Sequence, residues 1–337
     1  MGIITIIGSG VMGSAMSFPA CDNSHTVRLV GTMLDRDIIS HAKQTGFHLT
    51  LERKLPDSVE YYQLEELDRA LAHTDLIISG VSSFGVDWFN NDILPLLPKD
   101  KTILSVTKGL IGNPDGSVIS FPKYYSLSMP GMDFCAIGGP CTSYELADRD
   151  NTFVCFCGNN MISLLAAKKL LETTYYHISL TTDMEGLECV AAIKNAYALA
   201  VSLAIGLSLK KDETLHYNSQ AALFTQSVLE MKRLLTLFGL KDDNLAFGVG
   251  DLYVTVFGGR TRKIGTLLGM GKSFDAALNE LHGVTLESIA IIGRIGKAFL
   301  TCVDKGICSK QLFPLLLHIY NIITNDEPVN IPWKGFG

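Results

Sequence analysis

Val190 to Leu209 is twenty residues of almost wholly apolar chain carrying one charge, Lys194, with Asn195 beside it. Lysine is almost never fully buried without a partner, so this position asks for a compensating group. Burial lowers an ammonium's pKa and a nearby carboxylate raises it, and the balance can poise a lysine for proton transfer. The competing reading is a lysine that snorkels from a helix end. Gly250-Asp251-Leu252-Tyr253-Val254-Thr255 supplies a carboxylate. If Asp251 begins a helix, Thr255 shares its face four residues on; taken singly, Asp251 also suits an N-cap. Gly258-Gly259-Arg260-Thr261-Arg262 reads as a flexible turn with two guanidinium forks, a geometry matched to phosphate oxygens. Together these groups describe a site for a phosphorylated carbonyl compound. Lys108, in Ser105-Val106-Thr107-Lys108-Gly109, stands at the carboxyl end of an apolar run, where open α/β sheets bind ligands; a solvated loop lysine is an equal alternative.

A second constellation lies near the start. Gly8-Ser9-Gly10-Val11-Met12-Gly13 follows the apolar strand candidate Ile3–Ile7 and opens a helix. In that context the first glycine makes the turn, the second admits a pyrophosphate to the backbone and the third lets helix and strand pack closely. An acid about twenty residues on would hold the ribose of NAD. The second strand ends in Val30-Gly31-Thr32, and the nearest acid is Asp35, followed by Arg36. Asp35 equally suits the cap of the next helix, so NAD and NADP both stay open.

The elements that must position these groups fall into two halves. Ile3–Ile7, Thr26–Val30, Leu76–Val81 and Thr102–Val106 are short apolar runs, with a helix expected over Phe84–Leu97 and stopped by Pro98. Phe134–Ile137, Thr152–Phe156 and His177–Leu180 add strand candidates, and this alternation argues a parallel α/β sheet. After Asp183 strand signals fade and helical stretches follow over 187–209, 219–238, 251–257, 274–282, 285–304 and 309–323. Gly239 and Gly283 mark stops, and Ser273 is placed as an N-cap. The expected fold is an N-terminal Rossmann-type parallel-sheet domain over 1–183 followed by an all-helical, substrate-binding domain over 184–337.

Composition excludes other classes. The chain has 337 residues, 47% hydrophobic and 18% charged, with a formal charge of −6; its mean hydropathy is +0.25. Disordered tails need the opposite balance, and a nucleic-acid surface would be basic. Eight cysteines show no zinc-type spacing, so no metal is expected and they read as reduced core thiols of a cytoplasmic protein. The apolar N-terminus lacks a basic stretch and is interrupted by glycines, so it reads as structure rather than a signal. Val190–Leu209 is long enough to span a bilayer, but its lysine would be costly there and no positive flank sets an orientation. A buried helix, without membrane insertion, is the better reading.

Taken in order, Gly8–Gly13, Val106-Thr107-Lys108-Gly109, Gly138-Gly139-Pro140, Ile193-Lys194-Asn195, Gly250-Asp251-Leu252, Gly259-Arg260-x-Arg262 and Glu287 resemble the NAD(P)-dependent glycerol-3-phosphate dehydrogenases over most of the chain. The resemblance implies a Rossmann domain, a helical domain and an active site between them. It makes Lys194 the proton donor and acceptor, with Lys108 and Asp251 supporting it and the substrate carbonyl. Asn195, Thr255 and Arg260 would hold substrate, with Gly139, Cys141 and Thr261 at its rim. Gly8, Ser9, Gly10, Val11, Met12 and Gly13 would form the dinucleotide loop, and Thr32, Ser82, Lys108, Ser143, Arg260 and Glu287 would complete the NAD or NADP site. The sequence departs from the family where a Ser or Thr becomes Cys141, an Ala becomes Ser143, an Asn becomes Thr261 and a Gly becomes Ser288. The implied activity is reversible reduction of dihydroxyacetone phosphate to glycerol 3-phosphate, a glycerophospholipid precursor, by a cytoplasmic homodimer. The rivals are a same-fold reductase of another phosphorylated ketone and a non-catalytic dinucleotide sensor. A β-hydroxyacid dehydrogenase fits less well, because the residue four after Lys194 is Ala198.

Overall fold

The computed structural model describes residues 1–281 and 286–337, so Gly283 lies outside the described residues. The chain forms two compact units, Met1–Lys108 with Phe121–Met184, and Gly109–Ser120 with Glu185–Gly337.

In chain order the strands are β1 (Ile3–Ile7), β2 (Thr26–Val30), β3 (Phe47–His48), β4 (Arg53–Lys54), β5 (Val59–Tyr62), β6 (Leu76–Ser79), β7 (Thr102–Ser105), β8 (Leu110–Gly112), β9 (Val118–Ser120), β10 (Asp133–Gly138), β11 (Thr152–Gly158) and β12 (Tyr176–Thr181). The first unit is built on one sheet of order β12-β11-β10-β7-β6-β1-β2-β5. Its pairs are parallel except β10 with β11. Helices pack on the sheet and bury both faces of the central strands: Ile4, Ile6, Ile78 and Leu104 on one face and Ile7, Ile77 and Ile103 on the other have no exposed surface. This is why those strands read as unbroken apolar runs rather than alternating ones. After β1 the chain runs to β2 on one side, and β6 returns to the other. Such a reversal leaves a crevice at the strands' carboxyl ends.

One expected helix is broken. Phe84–Leu97 is not a continuous helix: Val86–Trp88 is followed by a wide turn over Phe89–Ile93 and a tight one over Leu94–Leu96. Pro95 sits inside this stretch and has no N–H to give, so the backbone bonds on either side change register. The small pairs β3–β4 and β8–β9 were not foreseen, being too short to show alternation.

The second unit is helical, with the helices Met184–Asp212, Tyr217–Leu237, Leu245–Val256, Gly259–Gly269, Phe274–Asn279, Glu287–Asp304 and Pro314–Asn325. The hairpin β8–β9 belongs to it through specific bonds. The Arg294 guanidinium donates to the Leu110 carbonyl at 2.8 Å, Lys305 to the Asp115 carbonyl at 2.7 Å, and the Ser120 hydroxyl to Glu185 at 2.7 Å. The apolar window of Met184–Asp212 is 94% buried. A helix apolar on all sides needs such cover, and here protein supplies it. Its contact with Gly259–Gly269 is close enough that a Cβ at Gly206 would strike the Thr266 carbonyl, and one at Gly269 the Leu203 carbonyl.

Candidate functional site

In the first unit, the turn after β1 forms one wall of a cleft of about 370 Å³ that Gly8, Gly10, Thr32, Asp35, Val81 and Ser82 help to line. Gly8 takes φ of +105°, which a side chain resists. A Cβ at Gly13 would collide with the Gly8 carbonyl, so this glycine allows the helix Val11–Ala15 to sit directly on the turn. Val11 packs against the sheet core, while Met12 is half-buried. Asp35 occupies the N-cap position of Arg36–Thr45 without capping it. Its Oδ2 instead accepts the Ser9 N–H at 3.1 Å, the Thr32 N–H at 2.9 Å and the Thr32 hydroxyl at 2.9 Å. The capping alternative for Asp35 is therefore replaced by a brace between two turns. The exposed Arg36 guanidinium pairs with Glu65. Phe84, 61% exposed, and Trp88 also line the cleft; the sequence reading passed over both, although exposed aromatics beside a phosphate loop are a usable signal.

Lys108 follows β7, and its Nζ donates to the Gly139 carbonyl at 3.0 Å. This joins two expected substrate residues. Gly139 has φ of +109°, and the chain then passes half-buried Cys141 to Ser143, the first residue of the helix Ser143–Ala147.

In the second unit, Lys194 and Asp251 meet. Lys194 is 7% and Asp251 2% exposed. The Lys194 Nζ donates to Asp251 Oδ1 at 2.7 Å and to Thr255 Oγ1 at 2.7 Å. The Thr255 hydroxyl donates its single proton to the Asp251 carbonyl at 2.7 Å, leaving its lone pairs to receive the ammonium. Two expectations are corrected here. Lys194 lies well inside Met184–Asp212, so it does not snorkel from a helix end. Asp251 lies inside Leu245–Val256, with Asn244 at the N-cap, so it neither begins nor caps that helix. The shared face of Asp251 and Thr255 survives, because four residues are close to one turn wherever the helix starts.

Asn195 is half-buried beside the lysine. The turn expected over Gly258–Arg262 is confined to its glycines, since Gly259 opens the helix Gly259–Gly269 and brings Arg260, Thr261 and Arg262 into its first turn. Arg260 is exposed. Arg262 instead donates to the Phe257 carbonyl at 2.6 Å, closing the preceding helix end. Cations there oppose the helix dipole, and the exposed Arg260 suits an anion. Glu287 begins Glu287–Asp304 and is half-buried, with Ser288 fully buried behind it.

Known proteins match both halves. The models for the N-terminus and C-terminus of NAD-dependent glycerol-3-phosphate dehydrogenase match residues 3–163 and 183–333. The NADP(+)-dependent glycerol-3-phosphate dehydrogenase of Archaeoglobus fulgidus is 36% identical over 285 residues, covering 83% of this chain and 84% of its own. A glycerol-3-phosphate dehydrogenase [NAD(P)+] of Enterococcus faecalis is 25% identical, covering 97% and 92%. The crystal structure of glycerol-3-phosphate dehydrogenase from Coxiella burnetii shares the fold, with a TM-score of 0.81 and 23% identity over 99% of this chain and 97% of that one. With a glycine-rich turn in one unit, a buried lysine–carboxylate pair in the other and family matches spanning both, the chain belongs to the NAD-dependent glycerol-3-phosphate dehydrogenase family.

Proposed function

We propose that this chain is an oxidoreductase that catalyses the reversible, NAD(P)H-dependent reduction of dihydroxyacetone phosphate to glycerol 3-phosphate. The observation that carries the reading is the buried Lys194–Asp251–Thr255 constellation in a chain that family models match almost end to end. The turn at Gly8–Gly13 fits a dinucleotide, because it brings bare backbone to the cleft wall. Gly8, Gly10, Thr32, Ser82 and Ser143 are the residues assigned to hold it, and Glu287 and Arg260 are assigned to it from the second unit. When bound, a reduced nicotinamide supplies the hydride.

This chain's own contribution is charge and a proton. Asp251 and Thr255 fix the Lys194 ammonium, so its proton can pass to the substrate oxygen as negative charge develops there. Lys108 adds positive charge for that oxygen. Arg260, exposed on the first turn of its helix, is assigned to the phosphate, with Thr261 and Asn195 holding the rest of the molecule and Gly139 and Cys141 bordering it. In the reverse direction the amine form of Lys194 takes the hydroxyl proton.

Cytoplasmic residence and a homodimer are part of this proposal. All eight cysteines are free thiols, which suits a reducing compartment. Burial pushes Cys135 up to about 12 and Cys155 up to about 11, so both stay protonated and inert. Exposed Tyr253 and Phe257, in edge contact at 4.8 Å, favour self-association.

The test is consumption of NADH and of NADPH with dihydroxyacetone phosphate and a panel of other phosphorylated ketones. The highest kcat/KM is expected with dihydroxyacetone phosphate. A large preference for another ketone would instead make Cys141, Thr261 and Ser288 marks of altered specificity, and tight dinucleotide binding without turnover would favour a sensor. Gly13→Ala should weaken dinucleotide binding by about ten-fold or more in a fluorescence titration, since the helix must move off the turn.

A further inference from the structure

A histidine that no sequence motif marks is wired into the glycine-rich turn. His48, in β3, has no exposed surface. Its Nδ1 accepts the Leu51 N–H at 3.0 Å, and its Nε2 lies 2.8 Å from the Ser9 carbonyl. A ring nitrogen that accepts carries no proton, so the proton is on Nε2 and is donated to Ser9. The next peptide group is thereby oriented. The Ser9–Gly10 bond is trans, and in a planar trans peptide C=O and N–H point opposite ways. With its carbonyl held by His48, the Gly10 N–H is directed away from the hairpin β3–β4. The other end of Ser9 is held as well, because its N–H donates to Asp35 Oδ2 at 3.1 Å. Ser9 is thus clamped through both of its peptide groups, directly before the glycine that lines the cleft.

We infer that His48, as the neutral Nε2–H tautomer, is a positioning residue that sets the Ser9–Gly10 peptide for dinucleotide binding, so that protonating the ring loosens the cofactor. The inference rests on the dinucleotide reading given above and deepens it. Protonation would add a hydrogen on Nδ1 facing the Leu51 N–H, donor against donor. Nδ1 would then have to release the Leu51 N–H and turn to the Thr50 hydroxyl, which at 3.5 Å is too distant for a good bond, so the turn between β3 and β4 must shift. The surrounding charges do not relieve this conflict. Burial holds the ring below its ordinary value of 6.5, outweighing the Ser9 carbonyl and then Asp35, on the turn after β2, both of which favour the charged form. On the hairpin, Arg53 is taken up by Asp148 at 2.6 Å and Lys54 by Asp57 at 3.0 Å, and Glu52 is exposed. His41, on Arg36–Thr45, lies edge-on to Phe47, and the Tyr144 hydroxyl donates to the Thr50 carbonyl.

The sign follows from that lowered value. The neutral ring, with Nδ1 free to accept the Leu51 N–H, is fully present above pH 6.5, and that bond is lost as pH falls through the lower native value. The experiment is a fluorescence titration of NADH and NADPH against the full chain, from about pH 8 down to about pH 5, for the parent, His48→Phe and His48→Gln. His48→Phe removes the donor and should weaken both dinucleotides by about ten-fold or more at neutral pH. It should raise the cofactor KM while leaving kcat at saturation within about three-fold. His48→Gln keeps an N–H near the Nε2 position and has no titration in this range, so it should bind within about three-fold of the parent at neutral pH. Its affinity should then hold where the parent's declines, by about three-fold or more at the acid end. If His48→Phe fails to fold, the comparison of parent and His48→Gln decides the matter alone. Parallel acid profiles for those two, or unaltered affinity in a folded His48→Phe, would overturn the role of His48 and leave the dehydrogenase reading standing. A parent that binds neither dinucleotide would overturn both.

Discussion

Lys194→Met is expected to lower kcat by on the order of a thousand-fold while NADH and NADPH bind as tightly as they do to the parent. Methionine nearly matches the lysine stem in volume but has no proton to give, so the developing alkoxide loses its donor and its nearest positive charge. The dinucleotide turn lies in the other compact unit, which is why binding should survive. A second consequence must be separated from the first. Asp251 is 2% exposed, and the substitution takes away the ammonium 2.7 Å from its buried carboxylate. Breaking such a pair from one side typically costs about 3–5 kcal/mol. Chemical denaturation should therefore show a large loss of stability in Lys194→Met. The double variant Lys194→Met/Asp251→Leu should recover much of it, because neither charge is then buried, and should recover no turnover. Kinetics and denaturation on the same preparations check both halves. A Lys194→Met enzyme retaining more than about a tenth of parental kcat would remove the lysine from the proton transfer.

The pairing of Lys194 with Asp251 was legible because burial makes a demand that composition exposes. A single cation in a long apolar run must be compensated, and few carboxylates in the second half sit in a comparably apolar setting. The places of the two residues within their helices were not legible. Gly248 and Gly250 obscure the true start of Leu245–Val256, so Asp251 looked like a beginning. Strands β1 and β2 could be read residue for residue, since their faces are buried or half-buried and nothing polar lies in them except Thr5, Thr26 and Arg28. Thr5 is excused by bonds to the Ala70 carbonyl and Thr74, and Arg28 by carbonyls at Ala70 and Ala72. Pro95 broke an expected helix, and although Pro95 was in plain view, the wider turn around it depends on packing rather than propensity. His48 and Glu230 were invisible for a different reason. Each is held by backbone groups that only the fold brings close, and no spacing along the chain encodes that part of the partnership.

Glu230→Leu is expected to destabilise the protein by about 3–6 kcal/mol, a large part of the stability of an ordinary domain. Glu230 lies in Tyr217–Leu237 with no exposed surface. Its carboxylate receives four donors: Gln226 Nε2 at 2.9 Å and the Leu315 N–H at 2.8 Å on Oε1, and the Leu316 N–H at 2.8 Å and the Tyr197 hydroxyl at 3.1 Å on Oε2. The helix Pro314–Asn325 begins with a proline, so Leu315 and Leu316 carry its first N–H groups, and Phe313 at its N-cap has no side chain to receive them. The carboxylate thus caps one helix from a second, and through Tyr197 it grips the third, the helix that carries Lys194 one turn earlier. Leucine fills the space and strands all four donors. Glu230→Gln is the sharper probe. Each carboxylate oxygen accepts two bonds, so an amide nitrogen opposes two donors whichever way the side chain turns, and about half the loss should remain. The pH dependence carries its own sign. Burial holds Glu230 above its ordinary value of 4.5 despite the four donors, so its contribution to stability is complete below 4.5 and declines as pH rises through the raised native value. Glu230→Gln lacks this titration. Denaturant unfolding at about pH 7.5 and about pH 5 should show the gap between parent and Glu230→Gln widening in the acid direction. A gap that narrows would mean that the carboxyl group is ionised more easily in the native core than in the unfolded chain.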